Sequence, residues 1–209
     1  MLVEYENQIL PVIPKTFLDL DFAMHSLYVA SDEDEAKYPD FLRKAEKRLA
    51  KAQRKLSQKQ KESHNREKQR LRVAILHEKV ANQRRDFLHK KARYLADRYD
   101  VIGIEDISVK AMAKRKKGGK FSFGKSVADN GWNMFTNMLE YKLAWQGKKL
   151  IKIDKWYPSS QLCHVCGYQN HETKDLSVRE WDCPKCGSHH NRDKNAAINI
   201  REEARRISA

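Results

Sequence analysis

Four cysteines constrain the fold of this chain more than any other feature, because they occur as two closely spaced pairs. Cys163 and Cys166 form the first Cys-x-x-Cys pair, Cys183 and Cys186 form the second, and a glycine follows each pair directly. In such a knuckle two thiolates converge on one ion, and the glycine permits the tight turn beneath it. Two knuckles predict a closed tetrahedral shell around one structural Zn²⁺ ion. A redox pair is the weaker alternative, since a single Cys-x-x-Cys would suffice for that chemistry.

Four histidines near these cysteines are further potential metal ligands. Because four thiolates are already available, we expect the histidines to lie on the surface or to contact nucleic acid instead. They are His164, His171, His189 and His190.

The charge balance predicts a polyanionic partner. The 209 residues include 42 Lys and Arg against 28 Asp and Glu, which gives a net charge of +14. Such an excess favours DNA or RNA, because cationic side chains release the counterions condensed on phosphates. No run of about 18 apolar residues or secretory leader is present, so we expect no membrane contact and a reducing, cytoplasmic location. No feature predicts a small-molecule substrate.

Residues 38–99 predict a long basic helical hairpin. The segment has no glycine and only one proline, and apolar residues recur in it at helical spacing. We expect two helices that meet near Ser63–Asn65. Their outer faces carry RKAEKRLAKAQRK and NREKQRLR, in which positive charge exceeds what i,i+4 ion pairs could neutralise. A phosphate-binding surface is therefore favoured over a merely solvated face.

The remaining segments predict an α/β fold. Strand patterns and helix patterns alternate along the chain, with turn signals between them. We expect a strand at Glu6–Val12, a two-strand hairpin within Phe17–Val29 followed by a turn at 31–35, strands at 101–105 and 149–158, and helices at Ser126–Gln146 and Arg192–Arg206.

A glycine-rich basic loop at 113–125 is a second candidate nucleic-acid surface. Phe121 and Phe123 in this loop could stack on bases, but packing beneath the loop is an equal alternative. Its candidate nucleic-acid-binding residues are Lys114, Arg115, Lys116, Lys117 and Lys120.

Three carboxylates stand where a sheet-based nuclease would need them. Asp21 lies in the first strand, Glu105 ends the strand at 101–105, and Asp193 begins the last helix. Hydrolysis of a phosphodiester by Mg²⁺ or Mn²⁺ requires hard oxygen ligands that converge on the ion. Each acid alone is weak evidence, since acids at strand ends are common.

Four segments together carry a resemblance to a known family. They are FAMHSLYVASD at 22–32, VIGIEDISVKAM at 101–112, the run from Ser126 to Gly167, and HHNRDKNAAINI at 189–200. In this order they resemble the TnpB (OrfB) proteins of bacterial insertion sequences, which are similar to the nuclease half of type V CRISPR effectors. The resemblance implies an RNase H-like (RuvC) mixed sheet with a long basic helical hairpin insertion and a small four-cysteine zinc ribbon.

The resemblance also implies roles for individual residues. It makes Asp21, Glu105 and Asp193 the catalytic ligands of Mg²⁺ or Mn²⁺, with Arg192 facing the scissile phosphate and Asn195 supporting the site. Full-length members of the family cut DNA under the direction of a guide RNA. The implied divisions are a remnant of a wedge-type domain at 1–16, a nuclease core at 17–160, a zinc ribbon at 161–190 and a closing helix at 191–209.

Three departures from the family pattern leave a second function open. Only the last strand of the family's N-terminal half has a counterpart here, MLVEYENQIL. Asp19 occupies a position that is usually glycine, and the turn Ala30-Ser31-Asp32-Glu33 lacks its usual glycine. These departures favour an inactive nucleic-acid-binding remnant or regulator, whereas the complete acid triad favours an endonuclease. A purely structural zinc protein is the third and weakest alternative, given the net charge.

Overall fold

A mixed five-stranded sheet organises the chain. The computed structural model of the protein describes residues 9–22, 26–32, 35–107, 131–175 and 177–208. The sheet has the order β3-β2-β1-β4-β5, in which β1, β4 and β5 run parallel and β2 and β3 run antiparallel to their neighbours. Its strands are β1 (Phe17–Phe22), β2 (Ser26–Ala30), β3 (Glu35–Lys37), β4 (Val101–Glu105) and β5 (Lys149–Ile153).

The predicted helical hairpin is confirmed. Helix α1 spans Phe41–Ser57 and α2 spans His64–Arg98, and the connection between them ends at Ser63. The hydroxyl oxygen of Ser63 accepts a hydrogen bond from the backbone N–H of Arg66, which caps α2. Four buried apolar residues in the second half of α2 belong to the same core cluster as helix α3 (Trp132–Ala144): Leu88, Ala92, Leu95 and Ala96.

The two faces of the sheet differ in chemistry because side chains alternate along β1 and β4. Leu18 and Leu20 of β1 and Ile102 and Ile104 of β4 belong to the main apolar core with α2 and α3. Asp19, Asp21, Gly103 and Glu105 alternate with them and therefore face the opposite side. Helix α4 (Arg192–Ser208) covers that side through Ile200 and Ala204. The sheet thus lies between two helical layers, with its acidic residues under α4.

The cysteines belong to a small module between β5 and α4. It contains the bridge Leu162↔Gln169, a 3₁₀ helix at His171–Lys174 and the two-stranded sheet of β6 (Glu180–Asp182) and β7 (His189–Asn191). Trp181 packs against Cys163 and Cys183 in its centre. Because β7 runs directly into α4, the module is joined to the helix that covers the sheet.

Several predicted boundaries need correction. The strand predicted at 149–158 ends at Ile153, and turns follow it. Residues 9–16 contain no strand, since Pro11 and Pro14 interrupt the backbone donors that a strand requires. The short strand β3 arises at the end of the segment predicted as a turn. Residues 6–8 and 126–130 of the predicted strand and helix lie outside the described residues.

The described part of the chain holds no helix that combines the length and the apolar composition needed to cross a membrane.

Candidate functional site

Three carboxylates meet at one edge of the sheet. Asp21 lies near the end of β1, Glu105 ends β4, and Asp193 lies in the first turn of α4. Because β1 and β4 are parallel neighbours, their carboxyl-terminal ends lie at the same edge. The charges of Glu105 and Asp193 both act on Asp21. The three predicted acids therefore lie on one side of the sheet and interact electrostatically. Among the described residues only the four cysteines place their ligand atoms within 4.8 Å of one another, so a metal site shared by the three acids stays a prediction.

The electrostatics of this acid cluster (Asp21, Glu105 and Asp193) fit a divalent cation. Burial raises the pKa of Asp21 to about 7, and repulsion by Glu105 and Asp193 contributes to the shift. The backbone N–H of Phe22 and the guanidinium of Arg192 only partly oppose it. A hard cation such as Mg²⁺ or Mn²⁺ prefers carboxylate oxygens and would supply the missing positive charge.

Asp19 is a fourth acid beside the cluster. It is fully buried and faces Gly103, its register partner in β4. A Cβ on Gly103 would lie 2.9 Å from Oδ1 of Asp19 and 2.9 Å from Cβ of Ala204, so only glycine fits there. Neither carboxyl oxygen of Asp19 has a well-formed hydrogen bond among the described residues. Burial, and then repulsion by Asp21 and Glu105, raises its pKa well above the ordinary value.

Glu105 is oriented by the loop that follows β5. The hydroxyl of Ser159 donates a 2.7 Å hydrogen bond to Oε1 of Glu105. The side-chain amide of Asn199 on α4 donates to the carbonyl oxygens of Ser159, at 2.8 Å, and Leu162, at 2.7 Å. Helix α4 therefore positions both Asp193 and the loop that orients Glu105.

Arg192 is buried, and its charge acts on Asp21. Its Nε has no hydrogen-bond partner among the described residues, and its charge lowers the pKa of Asp21. Its backbone N–H donates a 2.8 Å hydrogen bond to the carbonyl oxygen of Arg179. The guanidinium of Arg192 thus supplies positive charge to the acids.

The four cysteines form a compact cluster that could hold a metal ion. Their Sγ atoms all lie within 4.8 Å of one another, and the pairs Cys163–Cys186 and Cys166–Cys183 are each 3.6 Å apart. A tetrahedral shell with Zn–S bonds of about 2.3 Å would separate its sulfurs by about 3.8 Å. The cluster therefore fits a zinc ribbon.

One of the histidines near the cysteines is not on the surface, contrary to the prediction. His190 is buried, with its Nε2 3.1 Å from Sγ of Cys163 and its ring against those of Trp181 and His164. His190 therefore belongs to the interior of the cysteine module. His164, His171 and His189 are exposed, as predicted.

Asn195 connects the cysteine module to α4. Its side-chain amide donates a 2.6 Å hydrogen bond to the carbonyl oxygen of Leu162, and its Oδ1 accepts one of 3.1 Å from the backbone N–H of His164. Asn195 is buried and lies two residues beyond Asp193. The first cysteine knuckle is therefore fixed to the turn of α4 that carries the third acid.

Of the two predicted nucleic-acid surfaces, the structure describes the helical hairpin but not the basic loop. Lys114, Arg115, Lys116, Lys117 and Lys120 lie outside the described residues. The hairpin of α1 and α2 contains a cavity of about 440 Å³ whose cationic lining residues are Arg48, Lys51, Lys55 and Arg72. Phosphate binding by the hairpin stays a prediction.

Family models match most of the chain. Residues 1–116 match the model of a "Probable transposase" family, OrfB of IS605, and residues 132–200 match the Cas12f1-like TNB domain. The structure defines a mixed α/β protein with a four-cysteine cluster that fits a zinc ribbon. The chain belongs to the TnpB (OrfB) family of insertion-sequence transposon proteins.

Individual relatives agree with this assignment. The chain is 40% identical over 181 residues to a "Putative RNA-guided DNA endonuclease" of Streptomyces pristinaespiralis, covering 87% of this chain and 43% of that protein. It is 33% identical to InsQ of Escherichia coli K12, a protein with the same description, covering 91% of this chain and 50% of InsQ. The chain thus spans about half the length of the curated relatives it matches.

Solved structures show the shared fold. The chain superposes on Cas12f1 in its complex with sgRNA and target DNA with a TM-score of 0.58 at 22% identity, over 91% of this chain and 50% of that one. A second Cas12f ternary complex also gives 0.58, at 20% identity, over 95% of this chain and 40% of that one.

Sequence reasoning missed three residues that shape the site. Ser159, Arg179 and Asn199 act through contacts with residues far away in the chain or across the cysteine module. The neighbouring Pro-Ser-Ser and Asn-Ala-Ala-Ile-Asn segments gave no periodic or metal-ligand signal by which to find Ser159 and Asn199.

Proposed function

We propose that this chain is the core of a metal-dependent DNA endonuclease with an RNase H-like (RuvC) fold. The observation that carries the proposal is the pKa of Asp21, which burial and the charges of Glu105 and Asp193 raise to about 7. The mixed sheet with α4 across its acidic face supports the RuvC assignment, as does the fold shared with Cas12f1.

We keep the predicted domain boundaries as part of this proposal. Residues 17–160, with the hairpin inserted at 38–99, form the nuclease core, and 161–190 form the zinc ribbon. The helix at 191–209 completes the core, and 1–16 belong to a preceding wedge-type domain. The direct run of β7 into α4 supports the boundary between ribbon and helix.

The acids hold Mg²⁺ or Mn²⁺, which when bound supplies an activated water and stabilises the leaving oxygen of the phosphodiester. Asp21, whose pKa is raised to about 7, would hold the ion in its ionised form. Ser159 holds Glu105 in place through its hydroxyl. The positive charge of Arg192 lowers the pKa of Asp21. The family resemblance implies that Arg192 faces the scissile phosphate.

The cysteine cluster holds one structural Zn²⁺ ion through Cys163, Cys166, Cys183 and Cys186. Four thiolates leave no open coordination position, so this ion has no direct role in hydrolysis. Its role is to fix the knuckle that Asn195 joins to α4.

DNA is the proposed substrate, and a guide RNA is the proposed partner of a longer chain of this family. Relatives described as RNA-guided DNA endonucleases support both proposals. The hairpin and the loop at 113–125 are the proposed phosphate-binding surfaces, which the net charge of +14 supports.

A catalytically inactive nucleic-acid-binding protein is the second candidate function. The buried Asp19, beside Asp21 and facing Gly103, favours it, because an extra carboxyl can disturb the position of the first acid.

A cleavage assay separates these two functions. The zinc-loaded protein is incubated with labelled single-stranded and duplex DNA in Mg²⁺ or Mn²⁺, beside Glu105→Gln and the matched control Glu78→Gln on the exposed face of α2. Metal-dependent cleavage by the wild type and Glu78→Gln, lost in Glu105→Gln, supports the endonuclease. Binding by all three proteins without any cleavage would establish the second candidate.

A further inference from the structure

The turn after β5 presents a tryptophan beside the acid cluster. Glu105 and Ile153 are register partners at the ends of parallel strands β4 and β5, so the residues after Ile153 lie at the edge that holds the acids. Trp156 in this turn is 80% exposed. Its backbone N–H donates a 2.8 Å hydrogen bond to Oδ1 of Asp154, which fixes the backbone of the turn.

A cavity of about 520 Å³ extends from Glu105 to this tryptophan. Its wall combines the carboxylate of Glu105, the indole of Trp156, two lysines and two amides, contributed by Lys155, Lys174, Gln161 and Gln169. Nζ of Lys155 lies 5.1 Å from the centre of the indole ring. The cavity therefore offers an aromatic face, cations and hydrogen-bonding amides next to the acid cluster.

These groups match the parts of one nucleotide. An exposed indole provides a stacking surface for a base, and lysines bind the adjoining phosphates. Nε2 of Gln169 donates a 3.2 Å hydrogen bond to Oε1 of Gln161, and the remaining donors and acceptor of this pair can meet the polar edge of a base. Bases within a duplex are already stacked on one another, so this combination fits an unpaired strand.

We propose that this cavity, the Trp156 pocket, binds one nucleotide of single-stranded DNA with its base stacked on the indole. The position of the pocket against Glu105 places that nucleotide next to the phosphodiester to be cut, a placement that rests on the proposed function. Binding of the strand by the pocket does not depend on cleavage.

The test compares two exposed tryptophans. Trp156→Ala removes the stacking surface, Trp156→Phe keeps an aromatic ring, and Trp145→Ala is the matched control, since Trp145 is 66% exposed at the end of α3. Binding of a labelled single-stranded oligonucleotide is measured with zinc-loaded proteins in buffer without Mg²⁺ or Mn²⁺, so that no strand is cut. Zinc content and circular dichroism check that each variant is folded.

Because Trp156→Ala removes the stacking surface, we expect it to raise the Kd for single-stranded DNA by about 5- to 100-fold. Trp156→Phe should recover most of the affinity, and Trp145→Ala should stay within twofold of the wild type. A blunt duplex should bind the wild type and Trp156→Ala within twofold of each other. An unchanged Kd in Trp156→Ala would overturn the proposal, as would an equal loss of affinity in Trp145→Ala. An equal loss of affinity for the duplex, or tighter Trp156-dependent binding of RNA than of DNA, would also overturn it.

Failure of this inference and failure of the proposed function give different results. Trp156-dependent binding without metal-dependent cleavage retains the pocket and rejects the endonuclease. Cleavage that requires Glu105, combined with binding that ignores Trp156, rejects the pocket and retains the endonuclease.

Discussion

Arg179 of the cysteine module forms an ion pair with Asp193 of the acid cluster, with 3.3 Å between Nη1 and Oδ2. Its carbonyl oxygen also accepts a hydrogen bond from the backbone N–H of Arg192. The two contacts join the segment before β6 to the first turn of α4. A metal ion at the acid cluster therefore competes with Arg179 for the same carboxylate.

Replacing Arg179 should tighten metal binding. In Arg179→Gln the carboxylate of Asp193 loses its cationic partner, so we expect Mn²⁺ to bind about two- to fivefold more tightly. The effect is small because the ion pair is exposed. Titration calorimetry with the zinc-loaded protein measures it, and Arg179→Lys, which keeps the charge, should remain near the wild type. Weaker Mn²⁺ binding in Arg179→Gln would show that Arg179 helps to build the metal site instead.

Removing the carboxyl of Asp19 should stabilise the protein. Its oxygens are buried without well-formed hydrogen bonds among the described residues, and burying such a group costs free energy. We expect Asp19→Ala to raise the free energy of unfolding at pH 7.5 by about 1–3 kcal/mol. Urea unfolding measures the change. A loss of stability would mean that the carboxyl contributes more through packing against Gly103 than it costs.

The raised pKa of Asp21 should make the metal-free protein less stable as the pH rises. The folded protein keeps the proton of Asp21 up to about pH 7, whereas the unfolded chain releases it near the ordinary value of 3.8. The folded state therefore binds more protons between these values, and the stability it derives from them is lost as the pH rises from about 4 to about 7.

Asp21→Asn removes this dependence. Urea unfolding at pH 5 and pH 8, without divalent ions other than the structural zinc, should show a greater stability advantage of Asp21→Asn over the wild type at pH 8. Equal differences at the two pH values would contradict the raised pKa.

Removal of zinc should unfold the cysteine module. Few apolar residues form its core, so the metal bonds supply much of its folding free energy. We expect one zinc per chain by elemental analysis, and a strong chelator should expose Trp181 and shift its fluorescence. Cys183→Ser should reproduce the effect, while Ser188→Ala, a conservative change beside Cys186, should retain the metal. A chelated protein with unchanged fluorescence would show that the module folds without an ion.

The sequence predicted the parts of the site whose chemistry is local. The spacing of Cys163 and Cys166 identifies a knuckle without knowledge of the fold, and the buried strand before Glu105 identifies a strand end. The roles of Ser159 and Asn199 depend on how the loop after β5 meets α4, 40 residues apart in the chain. No local pattern encodes such a meeting, because it results from packing of the whole sheet under the helix.

The same reason explains the errors at His190 and at β5. His190 is the register partner of Trp181 in the two-stranded sheet, and Cys163 and His164 of the first knuckle cover it. The apolar pattern continued beyond Ile153, but β4, the neighbour to which β5 pairs, ends at Glu105. Pairing partners therefore set the end of β5.

The central claim is that Asp21, Glu105 and Asp193 form one divalent-metal site, and Mn²⁺ binding tests it most directly. Electron paramagnetic resonance of zinc-loaded protein titrated with Mn²⁺ at pH 8 counts bound ions without requiring DNA or RNA. The wild type and Glu78→Gln should bind Mn²⁺ saturably. Glu105→Gln and Asp21→Asn should each bind it at least tenfold more weakly. Equal Mn²⁺ binding by the wild type and Glu105→Gln would contradict the site.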